Sequence, residues 1–286
     1  PHLQQGRDQQ EWADRVAAEY DNLRSAVGFA LREAPEIALR IVASLAFFVW
    51  LRGGFAEVRT WVDGSLATGA DASLLWRGRA LICGAVVADR QGDVEAATRY
   101  ADEAFAVASA AGDGFGIASA LRERGKAALH AGDRGRSRAI YEELSEFAEE
   151  IGDAWNGAVA LNNLGDLALY DGEWSRAIEL CGRSGEIRRG LGNLWGAALC
   201  LCNVALAQRE AGLLDDAARS LHQALEDCLA VDARMVLLSC FEVGASLAAD
   251  WGKPQEAATL LGADHELREE LDTTLDDYER SVLEGV

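Results

Sequence analysis

The 286-residue chain carries 47 acidic against 27 basic side chains, a net charge of −20, and half of its residues are hydrophobic. Such a composition excludes a disordered segment. The charge argues against nucleic acid or an anionic membrane as a direct partner, because phosphates demand Lys and Arg. Only Pro1, Pro35 and Pro254 interrupt a chain dominated by Ala, Leu, Glu and Arg, which favours helix almost throughout.

In chain order, the segment PHLQQGRDQQ (1–10) has no initiator Met and no signal-peptide pattern, and reads as the start of a piece cut from a longer, cytoplasmic protein. Residues 11–33 form one amphipathic helical pattern, and Pro35 opens a second helix. The apolar run IVASLAFFVWL (41–51) is about half of the ~20 residues a membrane span needs, so it predicts a buried helix. Residues 47–67 predict a hairpin turning at Gly53-Gly54. Together, 1–73 form an N-terminal helical cap with one irregular hairpin.

From there the chain repeats itself. Gly92, Gly132, Gly172, Gly212 and Gly252 are 40 residues apart, and Gly112, Gly152 and Gly192 fall midway, with Asp232 at the next such place. Asp93, Asp113, Asp133, Asp153 and Asn193 follow these glycines directly. Glycine closes one helix in a left-handed conformation and Asp or Asn caps the next, giving helices of about 17 residues, roughly 25 Å each. Ala85, Gly125, Gly165, Ala205 and Ala245 precede alternate turns, and Ala97, Ser137, Ala177, Ala217 and Ala257 follow them, so two small residues twelve apart let paired helices approach closely. Leu81, Leu121, Leu161, Leu201 and Phe241 fill the space beside each crossing. Five such units cover 74–271. A capping helix is expected over 272–286, with Thr274 or Asp276 as its N-cap.

Residues 164–177, LGDLALYDGEWSRA, resemble the tetratricopeptide (TPR) signature, with Leu-Gly on the first helix and Ala on the second. The TPR unit has 34 residues and a closing Pro, whereas this one has 40 and lacks that Pro; HEAT or armadillo repeats of about 40 are the alternative. The resemblance implies an all-α, right-handed α-solenoid of TPR-like hairpins. In addition, DNLRSAV (21–27), RGGFAEVRTW (52–61) and AATLLGADHELRE (257–269) resemble the C-terminal region of bacterial STAND-type ATPase regulators that accompany LuxR, AfsR/SARP or adenylate-cyclase modules, although Val58 stands where that family tends to have Gly. That resemblance implies ATPase and output domains elsewhere in a parent chain.

No catalytic signature survives. RERGKAA (122–128) lacks the leading Gly of a P-loop and ends in Ala where Ser or Thr would hold Mg²⁺. GxSxG and HExxH are absent. Carboxylate runs such as Glu142, Glu143, Glu146, Glu149 and Glu150 read as a solvated helix face. Cys83, Cys181, Cys200, Cys202, Cys228 and Cys240 lie in apolar patterns without CxxC and read as reduced core cysteines. No enzyme activity, metal or cofactor is expected. Trp155 and Trp195, with Phe115 in the equivalent place, read as packing between neighbouring units.

In TPR-like units the first helix of each hairpin lines a concave groove. The positions expected there are Ile82, Arg122, Asn162, Cys202 and Glu242; then Val86, Lys126, Asp166 and Leu206; then Arg90, His130, Tyr170 and Glu210. Asn163 and Asn203 repeat beside them, and an amide suits an extended peptide backbone, or else bonds a neighbouring hairpin and braces the stack. Arg122, Lys126, His130, Asn162, Asn163, Asp166, Tyr170 and Asn203 are therefore the candidate binding residues, with the cations favouring a carboxylate or phosphate on the ligand. The expected partner is a peptide, protein or small-molecule effector. The alternative is a scaffold for self-association with the groove empty, and an exposed apolar patch at one end would favour it.

Overall fold

Glycine turns set the architecture. In the computed structural model, which describes residues 9–52, 54–69 and 72–271, Gly92, Gly112, Gly132, Gly152, Gly172, Gly192, Gly212 and Gly252 all have φ between +64° and +80°. Asp232, at the one place in the series without glycine, takes the same left-handed conformation at φ +50°. This conformation costs most residues energy, and it ends each helix by pairing the following N–H groups with the last open carbonyls. The Gly152 turn shows this: Gly152 N–H donates to Glu149 O over 3.2 Å and Asp153 N–H to Ala148 O over 2.8 Å.

The predicted caps form at several of these turns. Asp93 accepts from Ala96 N–H over 3.0 Å, Asp133 from Arg136 N–H over 2.9 Å, Asp153 from Asn156 N–H over 3.1 Å and Asn193 from Gly196 N–H over 2.9 Å. Asp113 makes no such cap; its carboxylate is taken by the Arg79 guanidinium, at 3.1 and 3.3 Å. Glu173, Leu213 and Ala233 precede their helices without a side-chain cap.

The described residues are all-α, their helices packed in consecutive pairs as the TPR-like hairpin pattern predicts. The chain divides into two compact units, Pro1–Ala160 and Leu161–Val286. The first holds α1 (Gln9–Ala18), α2 (Tyr20–Glu33), α3 (Pro35–Arg52), α4 (Phe55–Thr68), α5 (Leu74–Arg90), α6 (Val94–Ala111), α7 (Gly114–His130) and α8 (Arg134–Ile151). Helix α9 (Ala154–Tyr170) carries the boundary. The second unit continues with α10 (Trp174–Gly190), α11 (Leu194–Glu210), α12 (Leu214–Val231), α13 (Arg234–Asp250) and α14 (Pro254–Leu271). The capping helix expected over 272–286 lies outside the described residues.

One predicted helix is two. The pattern over 11–33 breaks at Glu19, whose N–H is shared between the carbonyls of Arg15 and Val16. The break lets the Tyr20 ring pack against Phe48 and Trp61, with centroids 5.8 and 5.7 Å away. Burial of aromatic area there outweighs continuation of the helical ladder. Among the described residues, no helix is long and apolar enough to cross a membrane.

The small-residue columns do what their spacing predicts. Ser137 Oγ donates to Gly125 O over 2.9 Å across the α7–α8 crossing, twelve residues apart. A Cβ on Gly125 would lie 2.8 Å from the buried Tyr141 ring. A Cβ on Gly165 would collide with Cys181 Sγ. Leu81 and Leu121 are fully buried beside these crossings, each contributing roughly 1.5–3 kcal/mol.

Candidate functional site

In the first unit the cationic residues arrive with their own counterions. Asp89, from the C-terminal end of α5, meets Lys126 Nζ at 2.5 Å through one oxygen and His130 Nδ1 at 2.6 Å through the other. Burial would raise the Asp89 pKa, but the His130 hydrogen bond and the Lys126 charge hold it below the ordinary carboxylate value. Arg122 donates to Glu123 over 2.7 Å and to Asn156 Oδ1 over 3.3 Å. Sequence reasoning named the three cations and missed Asp89 and Glu123. The signal was available in the 40-residue register, since Asp89 falls 37 residues before Lys126, the spacing at which neighbouring first helices touch.

In the second unit a polar cluster joins α9, α10 and α11. Asn203 Nδ2 donates to Asp166 Oδ1 over 2.6 Å, and Asn162 Nδ2 donates to Asp166 Oδ2 over 3.0 Å. The Cys200 thiol bonds Asn162 Oδ1 at 3.1 Å and Ser184 Oγ at 3.3 Å. Desolvation pushes the Asp166 pKa up to about 7, against the opposing pull of the Arg188 charge and the Asn203 hydrogen bond.

The row expected to open onto the groove is mostly sealed. Ile82, Asn162, Cys202 and Glu242 are buried, as are Val86 and Leu206 one turn on. Arg122, Lys126 and Asp166 are half-buried, while Arg90, His130, Tyr170 and Glu210 are exposed. The first row faces the neighbouring helices, and accessibility grows only towards the C-terminal end of each first helix. Asn163 is half-buried and has bonding partners of its own. Asn203 Nδ2 reaches from α11 to Asp166 on α9.

The cluster contains a residue that periodicity did not select. Arg188, on α10, is 6% exposed. In the 40-residue register its column reads Ala108, Ala148, Arg188, Cys228 and Arg268, so a guanidinium stands where two units have a methyl group. That departure from the column was the signal. Separately, an open depression of about 530 Å³ is lined by the apolar side chains of Ala249, Pro254, Ala257, Ala258 and Leu261 together with Gly252, none of them titratable.

No family model matches this chain, and no curated protein does. Solved structures do share its fold. The apo form of RapI aligns over 92% of this chain and 98% of its own at 10% identity and a TM-score of 0.69. A Rap protein complexed with Competence and Sporulation Factor aligns over 90% of this chain and 74% of its own, at 14% identity and a TM-score of 0.62. A STAND protein with a tetratricopeptide-repeat sensor from Pyrococcus horikoshii aligns over 88% of this chain at 12% identity and a TM-score of 0.60, and this chain spans 48% of its length. At these identities the likeness is one of fold: the neighbours are TPR-like repeat proteins.

Proposed function

We propose that the chain is a non-catalytic recognition module of a larger bacterial signalling or transcriptional regulator in the cytoplasm, binding a peptide, protein or small effector along its first helices. The observation that carries this reading is a braced polar cluster in which half-buried Asp166 and Asn203 stand over the buried Asn162. Asn162, Asp166 and Asn203 are fixed by hydrogen bonds before any ligand arrives, which lowers the ordering cost of binding. Asn163 and Tyr170 on α9 complete the second unit's candidate set, and Arg122, Lys126 and His130 form a separate set in the first unit. Support also comes from the fold neighbours, one a STAND protein with a TPR sensor and another a Rap protein complexed with Competence and Sporulation Factor. In this reading, effector binding biases the parent ATPase and output domains through unequal affinity for two states.

A second reading, self-association, is favoured by one feature. Leu229 is 74% exposed, and Val231 and Met235 are also exposed, around the turn between α12 and α13. Such a patch suits a second copy or another protein chain.

The test is a thermal-shift screen against peptides, nucleotides, sugars and acyl metabolites, repeated with Arg122→Ala and Asn163→Ala. A ligand at 100 times its dissociation constant adds about 2.7 kcal/mol of stability, readily seen in the melting temperature. A hit lost in those variants supports the module. A melting temperature that answers to protein concentration and to no ligand sinks it.

A further inference from the structure

Arg188 and Arg268 occupy one position two repeats apart, both in the second unit and both buried. Arg268 is fully compensated: its Nε donates to Asp264 Oδ2 over 2.9 Å, and its Nη2 pairs with Glu242. The residues at the matching places around Arg188 are Ser184 for Asp264 and Asn162 for Glu242. Both substitutes are neutral, and both are occupied with the Cys200 thiol. The nearby Asp166 carboxyl directs its two oxygens at the amides of Asn203 and Asn162 and makes no hydrogen bond to Arg188. Arg188 Nε is buried and has no hydrogen-bond partner among the described residues.

A buried guanidinium nitrogen without a hydrogen-bond acceptor is costly, and an anion would supply one. The local backbone is shaped around it. A Cβ on Gly196, in the first turn of α11, would collide with Arg188 Nη1 and lie 2.9 Å from its Cδ. Glycine there keeps the guanidinium against the N-terminal end of a 17-residue helix, whose dipole favours negative charge although Asn193 already caps the Gly196 N–H. Leu191, Gly192 and Leu194 at this turn are half-buried, so the site lies close under the surface.

We infer that Arg188, beside the start of α11, forms a binding site for an oxyanion group, a carboxylate or phosphate. The inference deepens the recognition reading and rests on it for the ligand's context. It assigns the anion to Arg188 rather than to Arg122 or Lys126, which are neutralised internally. The anion arrives either as a free ion or as the terminal group of an effector, and the two sources are separable by experiment.

The experiment is calorimetric and thermal-shift titration of the whole chain with inorganic phosphate against chloride at equal ionic strength. A parallel arm compares peptides bearing a free C-terminal carboxylate with their amidated forms. The variants are Arg188→Met, which removes the charge, and Asn162→Glu, which installs the counterion that Arg268 already has. Phosphate is expected to bind wild type, and both variants to weaken it by about tenfold or more, the loss of one charge-assisted contact. Asn162→Glu leaves the Arg188 side chain in place, so it reports even if Arg188→Met folds poorly. Preference for free over amidated peptides would place the anion on an effector. Equal binding by both variants means an adventitious ion only and overturns the inference, as does failure of every anion to bind wild type. Screen hits that need Arg122 and Asn163 but ignore Arg188 would overturn this site while leaving the recognition module standing. Phosphate binding through Arg188 without any effector hit would do the reverse.

Discussion

The Asn203 side-chain amide donates to Asp166 Oδ1 over 2.6 Å, tying α11 to α9 across one 40-residue repeat. Asn203→Ala removes this brace and leaves a half-buried carboxylate short of a donor. The expected cost is about 1–3 kcal/mol in chemical denaturation. A change within about 0.5 kcal/mol, the size of an ordinary surface substitution, would show that the brace carries nothing.

Asp166 also sets a pH dependence. Its pKa is raised from 3.8 to about 7, so the folded form holds a proton that the unfolded chain has released. Its contribution to stability is therefore fully present below the unfolded value and is lost as pH rises from about 4 through about 7. The slope is at most about 1.4 kcal/mol per pH unit. Denaturation midpoints of wild type and Asp166→Asn, measured at several pH values, should differ most near neutrality, with the variant the more stable and its profile the flatter.

Asp89 works in the opposite sense. Its pKa is lowered, so its contribution is present above the ordinary carboxylate value and disappears as pH falls through the folded one. Asp89→Asn should cost stability at neutral pH, because Lys126 and His130 lose their shared partner. Acid unfolding curves should show the variant losing less between neutral and low pH than wild type. Parallel curves would mean that Asp89 is not an ion-pair centre.

Glycines inside the helices separate packing from propensity. Gly125→Ala drives a methyl against the buried Tyr141 ring, so overpacking of about 1–3 kcal/mol should exceed the gain in helix propensity. Gly182→Ala, in mid-α10, meets nothing within 4 Å and should stabilise by about 0.5–1 kcal/mol. Equal effects at the two positions would contradict the close α7–α8 crossing.

The repeated scaffold was plainly legible because its signals are local. Left-handed turns demand glycine, caps demand Asp or Asn, and close crossings demand small residues; each recurs at a fixed interval. The break at Glu19 was not legible, since it is imposed by Phe48 and Trp61, far along the chain. Among the candidate residues, periodicity selected the helix face that carries Asn162 and Asp166, yet Asn162 is buried with its Oδ1 taken by the Cys200 thiol of another helix. Arg188 escaped notice for a different reason. It lies on a second helix, where the repeat predicts core, and only its departure from the Ala108 and Ala148 column announces it.

The most direct test of the recognition reading is the melting temperature of the chain over about a hundredfold range of protein concentration, with and without the ligands the screen retains. Any species that binds only the folded form makes that temperature depend on its own concentration. The recognition module predicts a melting temperature that ignores protein concentration and climbs with effector. A temperature that climbs with protein concentration and ignores every effector would contradict it and establish a self-assembling scaffold in its place.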